Sequence, residues 1–130
     1  MKRYYLDKIG YTDRSDLYCK GDKRDKRWRK QRKKYGFDER ETWSLYNSFY
    51  CWLYERLKLY KKLASKNIKL DFYKFEYKGK TYTQIQMINE MIKRLELYLS
   101  KDFHEYNQTH DALVIEIAEM WALVLPAMWW

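Results

Sequence analysis

The fold is decided by residues 38–64, DERETWSLYNSFYCWLYERLKLYKKLA, the strongest helical pattern in the chain. At the 100° spacing of an α-helix, the large apolar side chains of this segment cover an arc of about 220°. A surface helix needs a stripe only slightly wider than about 100°, so this segment is predicted to be a central helix packed on two sides. Asp38 can cap its first N–H groups with Glu41 reaching back, and Gly36 predicts the end of a preceding helix.

Two elements are predicted after the central helix. Residues 75–82 carry aromatic side chains on both sides of Lys78-Gly79, which predicts a small β-hairpin that turns at this dipeptide. Thr83 and Gln86 have the spacing of a capping box, so a helix is predicted over residues 83–100. One face of that helix is apolar and consists of Ile85, Ile88, Met91, Ile92, Leu95, Tyr98 and Leu99.

A last helix, predicted over residues 109–125 and ended by Pro126, is apolar nearly all round. Such a surface needs cover, and we expect a homo-oligomer or a protein partner to supply it; the alternative is that residues 1–21 fold back over it. The predicted interface consists of Leu113, Ile117, Met120, Trp121, Val124, Trp129 and Trp130. The predicted fold class is mainly α, with a long central helix, two further helices packed on it and a small β-hairpin.

The net charge of +9 lies entirely in the first part of the 130-residue chain. Residues 1–36 carry 14 Lys and Arg against 5 Asp and Glu, whereas residues 37–130 carry 13 basic and 13 acidic residues. The sequence therefore predicts a basic N-terminal arm with a short helix over 1–36 and a neutral helical domain over 37–130. One proline and four glycines leave little room for a sheet-rich architecture.

The strongest functional signal is the basic segment 20–34, which contains Trp28 and leads to Tyr35. This composition is typical of a segment that follows a phosphate backbone and stacks an aromatic ring on a base. The alternative is a solvated charged face without a ligand. Because Trp28 is the only large apolar residue of this segment, a helix here is predicted to be attached to the rest of the protein at one point. The same helix has too little apolar surface to bind a membrane. The predicted polyanion-binding residues are Lys23, Arg24, Lys26, Arg27, Trp28, Arg29, Lys30, Arg32, Lys33 and Lys34.

Two arginines of the neutral domain are candidate anion-binding residues. Arg56 falls inside the apolar arc of the central helix, where an unpaired guanidinium is costly. The favoured interpretation is a structural ion pair with Glu90, Glu116 or Glu119, and the alternative is an anion site. Arg40 lies beside the predicted helix cap and is either a ligand contact or solvated.

Motifs for catalysis, metal binding or a cofactor are not recognised in this sequence. His104 and His110 are six residues apart without further ligands at metal spacing, so they are predicted to be loop histidines. A glycine-rich phosphate loop and the common hydrolase motifs are missing, so the chain is not predicted to be an enzyme. Cys19 and Cys51 indicate a reducing compartment rather than a disulfide framework. With no apolar leader or 18-residue apolar run, a cytoplasmic protein is expected.

Three stretches resemble a group of small proteins encoded by bacteriophages and prophages: residues 35–60, YGFDERETWSLYNSFYCWLYERLKLY; residues 74–84, KFEYKGKTYTQ; and the ending LPAMWW. The resemblance covers most of residues 35–130, and its most specific part is the GFDERETWSL block. The basic segment is not part of it. The resemblance implies an intracellular phage accessory protein, a class dominated by binders and inhibitors of host or phage machinery, and it implies no functional residues.

Three functional hypotheses follow. The leading hypothesis is a non-catalytic phage accessory protein in the host cytoplasm that binds a host or phage macromolecule, such as a protein of the host machinery that it inhibits. The second is a nucleic-acid-binding protein that uses residues 20–34 to contact DNA or RNA. The third is a sponge for a small anionic nucleotide, with Arg40 or Arg56 facing the anion.

Overall fold

The computed structural model describes residues 23–43, 45–100 and 108–128. The chain divides into two compact units, Met1–Leu53 and Tyr54–Trp130, and the boundary falls inside a long helix. Several sequence predictions concern positions outside the described residues, namely the arm over 1–21, Cys19, His104, Trp129 and Trp130. The fold is mainly α, with a long helix and one two-stranded antiparallel hairpin among the described residues.

The first unit contains helices α1 (Asp25–Tyr35), α2 (Arg40–Trp43) and the start of the long helix α3 (Leu45–Ala64). The central helix predicted over residues 38–64 is therefore confirmed as α2 and α3. The predicted end of the preceding helix is also confirmed. Gly36 has a left-handed φ of 84°, and its N–H donates to the carbonyl of Arg32 at 2.9 Å. Glycine adopts this conformation at the end of a helix without steric cost.

Helix α3 is buried on two sides in its first half, where Cys51 lies on the side opposite Leu53 and both are at most 2% exposed, and on one side in its second half. Tyr50, Leu53 and Leu57 follow each other at helical spacing, and each is at most 2% exposed. Leu45 and Leu59, from the other part of the apolar arc, are 66% and 54% exposed. The prediction of two-sided packing is therefore confirmed for the first half of α3 and wrong for the second half, because the width of an apolar arc shows what a helix is able to bury and not how much its neighbours cover.

The second unit contains the predicted hairpin. Strand β1 (Lys74–Tyr77) pairs antiparallel with β2 (Lys80–Thr83), and Tyr77 lies opposite Lys80. The two residues between the strands, Lys78 and Gly79, have φ values of 49° and 78°. Positive φ at both positions of a two-residue loop is the type I′ turn, whose twist matches that of the paired strands. The turn at Lys78-Gly79 is thus confirmed.

Helix α4 (Gln84–Tyr98) begins at the capping box that the sequence predicts. The Gln86 N–H donates to the Thr83 hydroxyl at 3.3 Å, and the Thr83 N–H donates to the Gln86 side-chain oxygen at 2.9 Å. These two bonds satisfy donors that a helix start otherwise leaves without intrahelical partners. The buried side of α4 consists of Gln84, Met87, Ile88, Met91, Leu95 and Tyr98.

Helix α5 (Gln108–Val124) packs against α4, and both helices contact the hairpin. A short 3-10 turn over Leu125–Ala127, with Pro126 inside it, follows α5. His110, predicted to be a loop histidine, lies instead in the first turn of α5. It is 7% exposed, and its ring centroid is 5.7 Å from that of Tyr98 on α4. The helix predicted over residues 109–125 already includes His110, so the loop assignment was inconsistent with the helix boundary predicted from the same sequence.

A polar network links α4, α5 and the hairpin turn. The Arg94 guanidinium of α4 donates to Glu90 at 2.8 Å and to Glu116 of α5 at 2.8 Å, and the Lys78 ammonium donates to Glu116 at 3.2 Å. Hydrogen bonds from Arg94 and then Lys78 hold the pKa of Glu116 below its ordinary value. The bond from Arg94 has the same effect on the pKa of Glu90, so both carboxylates stay ionised at neutral pH.

Candidate nucleic-acid interface

Helix α1 has a covered side and a side that faces solvent. Trp28 is 0% exposed, and Arg24, Gln31 and Arg32 are half-buried around it. These positions are related as i, i+4, i+7 and i+8, which places them on one face of the helix. Asp25, the only acidic residue of α1, is also half-buried. The periodicity of the helix therefore divides the basic residues of this segment into an inner and an outer set.

We call the solvent-facing set the outer face of α1. Lys26, Lys30 and Lys33 are spaced as i, i+4 and i+7 and form a row along its centre. Residues 23–34 span about 18 Å at the rise of an α-helix, and seven exposed basic side chains lie along this length. Their charge density is comparable to that of duplex DNA, which has one phosphate per about 1.7 Å. All seven side chains are exposed: Lys23, Lys26, Arg27, Arg29, Lys30, Lys33 and Lys34.

Trp28 is not available to stack on a base, contrary to the sequence prediction. It is fully buried, and the guanidinium carbons of Arg24 and Arg40 lie 4.9 Å and 4.7 Å from its ring centroid. Burial of a large aromatic side chain contributes about 1.5–3 kcal/mol, and Trp28 is the only large apolar residue in the basic segment. The indole is therefore the anchor of α1, and the two cations over its faces are part of that anchor.

A buried carboxylate joins α1 to α2. Asp38 is 0% exposed and accepts hydrogen bonds from Arg32 at 2.6 Å, from the Arg40 side chain at 2.9 and 3.0 Å, and from the Arg40 N–H at 3.0 Å. Burial alone would raise the pKa of Asp38, but the bonds from Arg40 and Arg32 outweigh it and hold this pKa below its ordinary value. We call Asp38, Arg32 and Arg40 the Asp38 cluster.

Glu39 provides a second attachment between α1 and the loop that follows it. Its carboxylate accepts from the Arg27 side chain and, at 3.3 Å, from Gln31, while its N–H donates to the Gln31 side-chain oxygen at 2.8 Å. Helix α1 is thus held at Trp28, at Asp38 and at Glu39. The sequence predicted a single attachment at Trp28, because hydrophobic periodicity carries no information about ion pairs with the next loop.

The two candidate anion-binding arginines lie in different surroundings. Arg40 is 2% exposed and belongs to the Asp38 cluster, so its guanidinium is neither solvated nor open to a ligand from solvent. Arg56 is exposed, so the prediction that it lies within a covered apolar arc was wrong. The carboxylates of Glu90 and Glu116, predicted as partners of Arg56, bind Arg94.

The predicted interface on α5 is mostly core. Four of its residues are 8% exposed or less and Trp121 is half-buried; the four are Leu113, Ile117, Met120 and Val124. These residues face α4 and the hairpin, which provide more cover than the sequence count of helices suggested. The exposed apolar side chains lie on the opposite side of α5 and just after it, where Ile115 is 56%, Leu123 37% and Leu125 50% exposed.

Two exposed aromatic side chains stand at the C-terminal end of α1. Tyr35 is 58% and Phe37 41% exposed, and their ring centroids are 5.9 Å apart with an angle of 34° between the ring planes. The Lys34 ammonium lies 5.0 Å from the Tyr35 ring centroid. Sequence reasoning included Tyr35 in the basic segment but assigned no role to Phe37. The signal that would have found it is an aromatic residue on each side of a helix-ending glycine.

An open groove of about 410 Å³ lies in the second unit between the end of α3 and α4. The sequence alone predicted no groove at this position. Its lining combines lysine ammonium groups with two isoleucines and consists of Lys58, Lys61, Lys62, Ser65, Ile85, Ile92 and Glu96.

Comparison of the chain with protein-family models, with curated proteins and with solved structures found no match. The described part of the chain holds no group of three His, Cys, Asp or Glu side chains arranged to bind a metal ion. Among the same residues, no helix has the length and apolar character needed to span a membrane. Function is therefore inferred from the side chains described above.

Proposed function

We propose that this chain is a non-catalytic binding protein that holds the phosphate backbone of a nucleic acid on the outer face of α1. The observation that supports this proposal is the separation of charge around one helix. Seven cations are exposed on the outer face, one of which, Arg27, also binds Glu39, whereas Arg32 on the inner side holds the buried Asp38. The resemblance to phage-encoded proteins supports a setting in which such a protein binds host or phage nucleic acid in the cytoplasm of the host cell.

The way in which α1 is held favours a binding face over a merely solvated helix. A solvated tail needs no fixed orientation, but α1 is oriented by Trp28 and by the carboxylates of Asp38 and Glu39. A helix fixed in this way presents its cations without a large ordering cost on binding. The outer face contains no apolar side chain that could insert into a lipid surface, which disfavours a membrane as the partner.

The row of cations predicts a strong salt dependence. Replacing Lys26, Arg29, Lys30 and Lys33 by glutamine is expected to weaken binding of a labelled oligonucleotide at least tenfold. Because each neutralised phosphate contributes about 0.7 to 0.9 to the slope of log affinity against log salt, the slope should become about 3 to 4 units less steep. Fluorescence anisotropy between about 50 and 200 mM salt measures both quantities.

A matched control removes the same number of charges elsewhere. Lys66, Lys69, Lys74 and Lys80 are exposed in the second unit, and their replacement by glutamine changes the net charge equally. This control should retain most of the affinity and the slope. An equal loss in both variants would indicate a general charge effect, and binding that ignores salt or survives the outer-face substitutions would contradict the proposal.

Self-association through the exposed side of α5 is a second candidate function. Ile115, Leu123 and Leu125 are large apolar side chains that stay exposed within one copy of the chain, and a second copy would cover them symmetrically. Replacing Ile115 and Leu125 by lysine is expected to convert a dimer into a monomer, as measured by light scattering. A monomer already formed by the unaltered chain at micromolar concentration would contradict this candidate.

A further inference from the structure

The proposed function leaves open which form of nucleic acid is bound, and the end of α1 bears on that choice. Tyr35 and Phe37 flank Gly36, whose left-handed φ of 84° turns the chain and brings the two rings to 5.9 Å from each other. Both rings keep a large exposed fraction, at 58% and 41%. Two exposed rings side by side do not by themselves indicate a ligand, since Phe72 and Tyr73 of the second unit are also exposed and 5.2 Å apart. What distinguishes Tyr35 and Phe37 is their position at the end of the basic helix α1.

The aromatic pair adjoins the cations of the outer face at the end of α1, through Lys34. Lys33 and Lys34 belong to the last turn of α1, and the Lys34 ammonium lies 5.0 Å from the Tyr35 ring centroid. Helical spacing places Tyr35 on the side of α1 opposite the row Lys26, Lys30 and Lys33, so a strand that follows this row reaches the rings by passing Lys34 at the end of the helix. The phosphate contacts would then lie along α1 and the base contacts at its end.

We propose that the ligand is single-stranded nucleic acid and that Tyr35 and Phe37 form its base-stacking platform. This inference rests on the proposed function and adds the class of ligand to it. A single strand exposes the flat faces of its bases, and stacking of a base on an aromatic side chain is sequence-tolerant and strong. In a duplex these faces are already stacked on neighbouring bases, so the platform has nothing to bind and only the outer cations contribute.

The test compares single-stranded and duplex forms of one labelled oligonucleotide, with the full chain and with the double substitution Tyr35→Leu, Phe37→Leu. Leucine keeps apolar bulk at both exposed positions but removes the rings. We expect the affinity for the single strand to fall at least fivefold per ring, and the affinity for the duplex to change less than twofold. The salt slope should stay unchanged, because no cation is lost.

Two control variants make the test specific. Tyr35→Phe keeps the ring and should bind the single strand as the unaltered chain does. Phe72→Leu removes a ring that is 74% exposed in the second unit, next to Tyr73, and should have no effect on either ligand. Circular dichroism of every variant verifies that the helices are retained.

The outcomes separate this inference from the proposed function. Equal loss on single strand and duplex, or no loss on either, overturns the stacking platform while salt-dependent binding through the outer face stands. Preferential binding of the duplex by the unaltered chain overturns it as well. Failure of both oligonucleotides to bind overturns the proposed function and the platform together.

Discussion

Replacement of Asp38 by alanine is expected to lower the free energy of unfolding by about 3 to 5 kcal/mol, because it removes the only carboxylate from a buried cluster that contains two guanidinium groups. Asp38 is 0% and Arg40 2% exposed, so water cannot compensate for the lost partner without opening the structure. The same substitution removes the acceptor of the Arg40 N–H at the start of α2. Denaturant unfolding followed by circular dichroism measures the change.

The pH dependence of the same cluster has a defined sign. Because the pKa of Asp38 is lowered in the folded state, its ionised carboxylate stabilises the fold above the ordinary aspartate pKa of about 3.9, and this contribution is lost as the pH falls below it. The difference in unfolding free energy between the unaltered chain and Asp38→Asn should therefore be constant near neutral pH and shrink below about pH 4.

Asp71→Ala, at an exposed position, is the control for Asp38→Ala and should change the free energy of unfolding by less than about 0.5 kcal/mol. A cost below about 1 kcal/mol for Asp38→Ala would refute the buried-cluster interpretation.

Replacement of Trp28 by alanine is expected to cost about 3 to 5 kcal/mol and to release α1 from its attachment. The indole is fully buried between Arg24 and Arg40, and no other large apolar side chain of α1 can take its place. Trypsin cleaves after Lys and Arg, so a loosened α1 should be cut much faster than the anchored one. The rate of tryptic cleavage within residues 23–34 and the unfolding free energy are the two measurements.

A conservative variant distinguishes the contribution of an aromatic ring at position 28 from the effect of removing the whole side chain. Trp28→Phe keeps an aromatic side chain against the two guanidinium groups and should lose clearly less stability than Trp28→Ala. The anchor interpretation is wrong if Trp28→Ala leaves the rate of tryptic cleavage of α1 unchanged.

Elements defined by local sequence signals were predictable. The type I′ turn at Lys78-Gly79, the capping box of Thr83 and Gln86 and the left-handed Gly36 each depend on residues within a few positions of one another. Helical periodicity alone also separates the inner from the outer basic residues of α1 correctly, once Trp28 is taken as the buried position. For these features, the chemistry of a short segment determines its conformation.

Partners that meet through tertiary contact were not predictable. Arg56 was placed within the apolar arc and paired with Glu90, Glu116 or Glu119. It is exposed instead, and Arg94 binds the carboxylates of Glu90 and Glu116. Likewise Trp28 was read as a ligand-stacking ring, since a sequence does not show that Arg40, twelve positions later, lies over the same indole. Periodicity identifies a face of a helix, but it does not identify what covers that face.

The Asp38 cluster also sets which substitutions related sequences can tolerate. On the outer face, where binding depends mainly on total positive charge, exchange between lysine and arginine is expected to have a small effect, except at Arg27, which also binds Glu39. At Arg32 and Arg40 the planar guanidinium supplies directed donors to one carboxylate, and lysine offers no such fork. We therefore expect the same conservative exchange to be tolerated at the lysines of the outer face and to be costly at Arg32 and Arg40.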